Sequence, residues 1–289
     1  MYNIAILGCE NSHANEFLNY IIKDKLYPDI NVIGVYSDDY EAAQKLGEEY
    51  GVYVANSYDE FAGKTDGIII TARHGGNHYK YAKPYIEYGI PMFIDKPITI
   101  TEREAKEFMQ ALKAHKIRVC GGSVCVFAKE IQKLKQIAVQ KEYGSVYGGF
   151  LRAPVDLDNA YGNFYFYSQH LVQIMTEIFG DYPSSVKAYK NNQTITCIVR
   201  YDDYDVTLEF NDKNYLYYAN ISCEQKVIGF EYGLNGCFEQ EFESFYNLLT
   251  GKEQTKAYEE FFAPVFILNA IDRSLQSGKE EAVRRIQDV

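Results

Sequence analysis

The chain has no tryptophan, no cysteine pair at C-x-x-C spacing and no apolar run near the roughly 20 residues that a bilayer-spanning helix needs. Its six scattered cysteines are typical of reduced thiols in a cytoplasm rather than of a disulfide framework. The opening residues, MYNIAILG, predict a strand and not a signal peptide. Acidic residues outnumber basic ones by 40 to 29, and the net charge of −11 argues against a nucleic-acid or anionic-membrane partner. We therefore expect a cytoplasmic protein that binds neither.

What the first 120 residues do contain is a regular alternation of strand-like and helix-like segments. Residues 67–72 are a continuous apolar run, as in a strand buried on both faces. The predicted strands are 4–7, 31–37, 67–72, 91–97 and 117–122. This alternation predicts a doubly wound parallel sheet of the Rossmann type with right-handed crossovers.

Beyond Gly122 the pattern changes to one helix over about 127–141, a second over 163–180 and then short alternating segments separated by turn residues. Two further helices finish the chain. We expect an α/β protein whose N-terminal Rossmann domain covers 1–121. Residues 122–289 then form an α+β domain with an open, mainly antiparallel sheet. The tyrosine-rich strands make the exposed face of that sheet a candidate surface for a homodimer or homotetramer.

The turn after the first strand departs from the dinucleotide fingerprint G-x-G-x-x-G. Gly8 keeps the first glycine, but Glu10 and His13 replace the second and third. Asn11 or Ser12 can cap the helix that follows, whose free N–H groups could meet a phosphate. A carboxylate beside a pyrophosphate is costly, so dinucleotide binding requires Glu10 to turn to solvent. His13 adds bulk in this turn or donates to a phosphate.

The end of the second strand bears on the choice between NAD and NADP. Ser37 stands where an acid commonly reads the ribose of NAD, and Asp38 and Asp39 follow it without an arginine. Acidic side chains repel a 2′-phosphate. The sequence therefore favours NAD over NADP. For one of the two aspartates, the alternative interpretation is that it caps the next helix and does not contact the cofactor.

The segment FIDKPITITEREA (93–105) joins a strand to an acid, Lys96, Pro97 and a helix. It places Lys96 at the carboxyl end of a parallel strand, where open α/β sheets bind ligands. In this order of elements the chain resembles the Gfo/Idh/MocA oxidoreductases, which carry Glu-Lys-Pro here. The resemblance extends to the helix around His170 and to the ending SLQSGKEEAV. It implies hydride transfer between a nicotinamide and a sugar or polyol carbon.

The resemblance also implies the catalytic residues. Lys96 would contact the reacting oxygen and His170 would be the acid/base group. The family helix usually reads Asp-x-x-x-His-x-x-Asp, but here Phe166 and Gln173 hold the acid positions. Tyr167, or else Tyr165, is then a substitute proton donor. Alternatively, His170 is a core histidine.

A turn after the third strand, TARHGGNHYKYA (71–82), resembles the family turn that packs along the cofactor and supplies a histidine near the nicotinamide. His78 matches that histidine. A simple strand-to-helix loop capped at Asn77 is an equal alternative. Taken together, the resemblance implies these cofactor-binding residues: Gly8, Glu10, Asn11, Ser12, His13, Ser37, Asp38, Thr71, Ala72, His74, His78, Asp95 and Lys96.

The apolar stretch 124–127 replaces a polar or basic family segment, which favours a neutral substrate over a phosphorylated one. The scattered positions of Cys9, His13, His74 and His78 match no established metal pattern, so we expect no metal. Two other functions stay open. One is a non-catalytic ligand sensor on the same scaffold, and the other is a zinc-dependent hydrolase.

Overall fold

The computed structural model describes residues 1–288. They form two compact units. The first contains Met1–Thr99, Glu104–Gly122 and Phe238–Tyr258, and the second contains Ile100–Arg103, Ser123–Cys237 and the residues from Glu259 onward. A unit boundary thus falls at Gly122, next to the predicted domain boundary, whereas the segment Phe238–Tyr258 packs with the N-terminal part.

The first unit is built on a parallel five-stranded sheet in the order β2-β1-β3-β4-β5, which confirms the predicted Rossmann-type alternation. Its strands are β1 (Tyr2–Leu7), β2 (Ile30–Tyr36), β3 (Gly67–Ile70), β4 (Met92–Asp95) and β5 (Val119–Gly122). The helices between them are α1 (Ser12–Leu18), α2 (Tyr40–Tyr50), α3 (His78–Ala82) and α4 (Glu102–Ala114). Every residue of β3 and β4 is buried, which explains their continuous apolar sequence.

The strand order fixes where a ligand can bind in this unit. From β1 the chain continues to β2 on one side of the sheet and later to β3 on the other. This reversal is a topological switch point, and open α/β sheets bind ligands outside the carboxyl ends of the strands there. The loops that follow β1, β2, β3 and β4 all lie at that edge.

A helix from late in the chain, α7 (Cys237–Leu249), completes the core of the first unit. Phe242 and Phe245 are fully buried in the cluster that also holds Phe17 and Phe93. Phe17 lies edge-on to Phe93 at a ring separation of 5.2 Å. The unit therefore buries apolar surface contributed by segments more than 200 residues apart in sequence.

The second unit has a seven-stranded sheet in the order β11-β10-β6-β9-β8-β7-β12. All neighbouring strands are antiparallel except β6 and β9, which run parallel. The strands are β6 (Val146–Val155), β7 (Ser185–Asn191), β8 (Thr194–Arg200), β9 (Asp205–Asp212), β10 (Tyr218–Cys223), β11 (Val227–Glu231) and β12 (Glu281–Ala282). This confirms the expected mainly antiparallel sheet.

Three helices belong to this unit: α5 (Lys129–Gln140), α6 (Phe164–Phe179) and α8 (Tyr258–Ser277). Helix α6 packs on β6 and β9, and α5 packs on α6. Strand β8 alternates buried and half-buried residues, so only one of its faces is covered. Within residues 1–288, no helix combines the length and apolarity that crossing a bilayer takes.

Candidate active site

The turn after β1 requires glycine for steric reasons. Gly8 has φ +103°, and a Cβ there would lie 2.1 Å from the backbone nitrogen of Ala72. The hydroxyl of Thr71 donates to the carbonyl oxygen of Gly8 over 2.7 Å. The predicted residues Gly8, Thr71 and Ala72 therefore hold the carboxyl ends of β1 and β3 together at the switch point.

Asn11 is the N-cap of α1, as one of the two predicted alternatives had it. Its side-chain oxygen accepts from the backbone N–H of His13 at 3.3 Å. Its amide nitrogen also donates to Oδ2 of Asp95 at 2.5 Å, which links the turn after β1 to the end of β4. Ser12 is exposed, and its hydroxyl donates to Asn11 Oδ1 over 3.4 Å.

The side chain of His13 turns into the protein, which favours the alternative in which it adds bulk over the one in which it donates to a phosphate. Only 3% of the residue is exposed. Its Nδ1 lies 3.0 Å from Asn11 Oδ1 and 3.5 Å from Asp95 Oδ2. On the other side of the ring, Nε2 lies 3.1 Å from Oε2 of Glu241, a residue of α7. The ring also packs against Phe238 at 4.9 Å, so α7 accommodates the bulk that the missing glycine introduces.

His13, Asp95 and Glu241 form a buried charged triad. Burial lowers the pKa of His13, but the charges of Asp95 and Glu241 outweigh it and raise the pKa above its ordinary value of 6.5. Burial also raises the pKa of Glu241, against the opposing effect of His13. The approach of His13 to Glu241 is not aligned as a hydrogen bond, since both carboxylate oxygens lack a hydrogen-bond partner within the described chain. The attraction between these groups is therefore mainly electrostatic.

We expected dinucleotide binding to require that Glu10 turn to solvent. In the structure its carboxylate is instead bound to neighbouring groups of the protein. Its Oε2 accepts from the hydroxyl of Ser37 at 2.6 Å, and its Oε1 accepts from the backbone N–H of Arg73 at 2.9 Å. Ser37 directly follows β2 and is 5% exposed. The Glu10 carboxylate thus spans from the turn after β1 to the ends of both β2 and β3.

The two aspartates after β2 have local structural partners. The Asp38 carboxylate accepts from the Tyr36 hydroxyl at 2.6 Å and from Lys80 Nζ at 3.3 Å. Although partial burial opposes it, hydrogen bonds from Tyr36, Tyr81 and Lys80 lower the pKa of Asp38. Asp39 caps α2 by accepting from the backbone N–H of Ala42 at 3.1 Å.

Asp95 and Lys96 lie at the carboxyl end of β4 and are almost completely buried. Lys96 is 4% exposed and Asp95 is fully buried. Oδ1 of Asp95 accepts from the backbone N–H of Lys96 at 2.7 Å, while Oδ2 accepts from Asn11. The peptide bond between Lys96 and Pro97 is cis. A buried lysine at this edge of a parallel sheet stands where α/β proteins place functional groups.

The turn after β3 divides its two histidines between different environments. His78 is fully buried, with Nε2 2.7 Å from the carbonyl oxygen of Ala72 and Nδ1 3.3 Å from that of Ile98. Burial lowers its pKa, which favours the neutral ring. His74 is half-buried and accepts from the backbone N–H of Gly76 at 3.0 Å. His74 therefore supplies the cap of this turn, for which Asn77 was the expected residue.

In the second unit, the predicted acid/base residue His170 lies on α6 and is 4% exposed. Its Nδ1 is 2.7 Å from the hydroxyl oxygen of Ser123 and 3.5 Å from Cys125 Sγ. The Gln173 side-chain oxygen accepts from the backbone N–H of Ser123 at 2.8 Å and from the amide of Gln169 at 3.1 Å. Neutral groups therefore take the places of the family's carboxylates around this ring.

Aromatic rings flank His170 on the same helix. Tyr167 is half-buried, and its ring lies 5.1 Å from the His170 ring. Phe166 is 8% exposed and packs against Tyr161 and Tyr167, each at 5.2 Å. The Tyr165 hydroxyl donates to Asp272 at 3.2 Å, and burial followed by the Asp272 charge raises its pKa. Tyr167, not Tyr165, is therefore the tyrosine beside His170.

Sequence reasoning missed Glu241 and Ser123 as members of these clusters. A signal for Glu241 was present, because Phe238, Glu241, Phe242 and Phe245 share one helical face and an acid on an apolar stripe needs a partner. Ser123 gives no such signal. Among residues 1–288, no three His, Cys, Asp or Glu side chains are grouped as a metal site requires.

The comparisons with known proteins agree with the Rossmann-type fold of the first unit. Residues 2–123 match the Gfo/Idh/MocA family model, described as an oxidoreductase family with an NAD-binding Rossmann fold. These residues are thus similar to the Rossmann domain of that family. A curated relative, an uncharacterized oxidoreductase of Streptococcus pneumoniae, is 25% identical over 109 residues, which are 37% of this chain and 30% of that protein's length. The resemblance inferred from the DKP segment is thereby confirmed.

Solved structures of similar fold cover nearly the whole chain, beyond the residues that the family model matches. A myo-inositol dehydrogenase of Corynebacterium glutamicum has a TM-score of 0.84 at 15% identity, with 98% of this chain and 99% of that one covered. WlbA dehydrogenase of Chromobacterium violaceum, solved with NADH and UDP-GlcNAcA, gives 0.80 at 16% identity, with 98% and 96% covered. An oxidoreductase of Desulfitobacterium hafniense described as NADPH-dependent gives 0.82 at 13%, with 98% and 97% covered. At these identities the likeness establishes the fold and leaves the choice between NAD and NADP open.

Proposed function

We propose that this protein is a dehydrogenase or reductase that transfers hydride between a nicotinamide cofactor, NAD in preference to NADP, and a sugar, polyol or related small molecule. The observation that carries the proposal is Lys96, a lysine only 4% exposed at the carboxyl end of β4 in a domain similar to the Gfo/Idh/MocA Rossmann domain. The similar proteins with sugar or polyol substrates in their names support the substrate class.

The residues at the switch point fit a dinucleotide. Gly8 makes the tight turn that the fingerprint requires, and His13 is withdrawn into the interior. The Glu10 carboxylate is bound to the Ser37 hydroxyl and to the Arg73 backbone N–H, at the ends of β2 and β3. Gly8, Asn11, Ser12, Ser37, Thr71, Ala72 and His74 are proposed to hold the cofactor, which supplies or accepts the hydride when bound.

The chain's own residues would orient the substrate and move a proton. Lys96 would bind the oxygen of the reacting carbon and stabilise negative charge on it. Asp95 positions Lys96 through the backbone hydrogen bond and is itself fixed by Asn11. His170 would exchange the proton of the substrate hydroxyl, with Ser123 orienting the ring at Nδ1. Tyr167 is the proposed second donor.

The surroundings of His170 favour a neutral substrate. Val124, Cys125 and Val126 are buried and apolar. Gln173 is neutral and is held by hydrogen bonds to the protein. A phosphate or carboxylate on the substrate would find no cation among these residues.

We also propose that the protein works in the cytoplasm as a homodimer or homotetramer joined through the sheet of the second unit. The uncovered face of β8 and β10 carries half-buried residues such as Thr196, Ile198 and Asn220. Light scattering coupled to gel filtration tests this proposal. A monomer at all concentrations would contradict it.

Titration of the purified protein with NADH and NADPH, followed by nicotinamide fluorescence and by heat of binding, tests the function first. We expect NADH to bind at micromolar concentration and NADPH more weakly. A screen of neutral polyols and sugars with NAD should then give turnover. Failure of both nucleotides to bind at millimolar concentration would contradict the proposed function.

A further inference from the structure

We propose that Glu10 is the residue that reads the adenosine ribose and excludes the 2′-phosphate of NADP. This inference rests on the proposed function and assigns to Glu10 a task that Rossmann proteins commonly give to an acid at the end of β2. In this chain that strand end holds Ser37, which cannot bind ribose hydroxyls as a carboxylate does. The structure brings a carboxylate to the same place from the neighbouring turn.

The position of the Glu10 carboxylate is fixed by two hydrogen bonds from opposite sides. Ser37 donates to Oε2 at 2.6 Å from the end of β2, and the backbone N–H of Arg73 donates to Oε1 at 2.9 Å from the end of β3. The carboxylate therefore lies across the switch point of the sheet. A carboxylate has about four acceptor positions, so two stay available for the ribose hydroxyls.

The hydroxyl of Ser37 is oriented for this role. It accepts from the backbone N–H of Asp39 at 3.1 Å, which leaves its own hydrogen for Glu10. Ser37 is 5% exposed, so water competes little for this bond. The serine thus acts as a holder for the acid rather than as a reader.

The acids that follow Ser37 are less suited to reading the ribose. Asp38 is engaged by Tyr36 and by Lys80, and Asp39 caps α2. Lys80 pairs with Asp38 at 3.3 Å, which partly neutralises a cation that could otherwise favour a 2′-phosphate. Glu10 is the acid held between β2 and β3 by donors from both.

The test compares the binding of NADH and NADPH to the unchanged protein, Glu10→Gln and Ser37→Ala by fluorescence and calorimetry. Glu10→Gln removes the charge and keeps an acceptor, so the ratio of the two dissociation constants should shift toward NADPH by about tenfold or more. Ser37→Ala loosens the carboxylate and should shift the ratio in the same direction by a smaller factor. Glu41→Gln, which removes an exposed charge from α2, is the matched control and should leave the ratio unchanged.

The outcomes distinguish failure of the Glu10 assignment from failure of the proposed oxidoreductase function. If NADH binds and Glu10→Gln leaves the ratio unchanged, or if Asp38→Asn shifts it more, Glu10 is not the reader while the oxidoreductase proposal stands. If Glu10→Gln tightens both nucleotides equally, Glu10 is an obstacle and the inference is overturned. If the unchanged protein binds NADPH more tightly than NADH, the inference and the NAD preference fall together. If it binds neither nucleotide, both proposals fail.

Discussion

His13 and His170, two of the four histidines that the sequence analysis names, are equally buried but have different side chains around their rings. His13 lies between the carboxylates of Asp95 and Glu241, 3.5 and 3.1 Å away. His170 has the hydroxyl of Ser123 at 2.7 Å and the amide of Gln173 one turn along the helix. Carboxylates thus lie on both sides of the histidine that replaces a glycine, whereas a hydroxyl and a thiol lie beside Nδ1 of the histidine proposed for catalysis.

This contrast teaches how to separate a structural histidine from a catalytic one. Burial lowers the pKa of His13, but the neighbouring carboxylates of Asp95 and Glu241 outweigh it and raise that pKa above its ordinary value. We expect loss of His13 to change stability, and variants around His170 to change turnover and its pH dependence.

The largest expected effect is on turnover, from Lys96 at the edge of the charged cluster. Lys96→Met should lower kcat by about 10³-fold, because it removes the cation proposed to stabilise charge on the reacting oxygen. NADH affinity should change by only a few-fold. Steady-state kinetics and nucleotide titration check both values.

Lys129→Met is the matched control, since its side chain is 91% exposed. It should keep full activity. Near-normal turnover in Lys96→Met would refute the assignment of Lys96.

The next effect is on stability, from His13→Gln. This variant removes the imidazole from between the buried carboxyl groups of Asp95 and Glu241 and should lower the free energy of unfolding by about 3 kcal/mol. The native pKa of His13 is raised, so its stabilising contribution is complete below the ordinary value of 6.5 and is lost as the pH rises through the native value. Denaturant unfolding of both proteins between pH 6 and 9 measures this difference.

The deficit of His13→Gln should therefore be largest near pH 6 and shrink at alkaline pH. His115→Gln changes an exposed histidine and serves as the control. A deficit that grows with pH would mean that His13 is neutral in the folded protein.

A smaller effect on turnover is expected at the neutral cluster. His170→Asn should lower kcat by about 10²-fold through loss of the proton-transfer group. Its unfolding free energy should change less than that of His13→Gln, because no buried charge is left without a partner. Kinetics with the preferred nucleotide, together with denaturant unfolding, give both numbers. A stable variant with unchanged kcat would make His170 a core residue.

The smallest effect is expected from a variant that places a negative charge beside His170 and so makes its surroundings more like those of His13. Gln173→Glu keeps the side-chain length and restores an acid of the family helix. A carboxylate there favours the imidazolium, so the acidic limb of the pH–rate profile for alcohol oxidation should move up by about one pH unit. Circular dichroism checks that the variant is folded. An unmoved limb would show that His170 does not set the pH dependence.

Most of the fold could be predicted from the sequence because it follows local patterns. Continuous apolar runs such as 67–70 and alternating segments such as 194–200 report the burial of one or two faces without knowledge of their neighbours. The caps at Asn11 and Asp39 act over two or three residues and were equally accessible. The DKP segment gave the family for the same reason.

The site could be predicted only in part, since several contacts join distant segments. The orientation of Glu10 depends on Ser37 and Arg73, which reach it from other strands. The partner of His13 is Glu241, on a helix that the sequence assigns to the other half of the chain. Neither contact leaves a periodic signal.

The sequence by itself determined the strands and helices, the glycine turn at Gly8 and the lysine at the end of β4, because each follows from local sterics or from the burial of neighbouring residues. The tertiary structure decided that His13 lies between Asp95 and Glu241, that Glu10 lies across the ends of β2 and β3, and that β6 and β9 run parallel. The physical reason is that hydrogen bonds and charge pairs between distant segments exist only once packing brings those segments together. Which polar group meets which is therefore decided by topology rather than by local pattern.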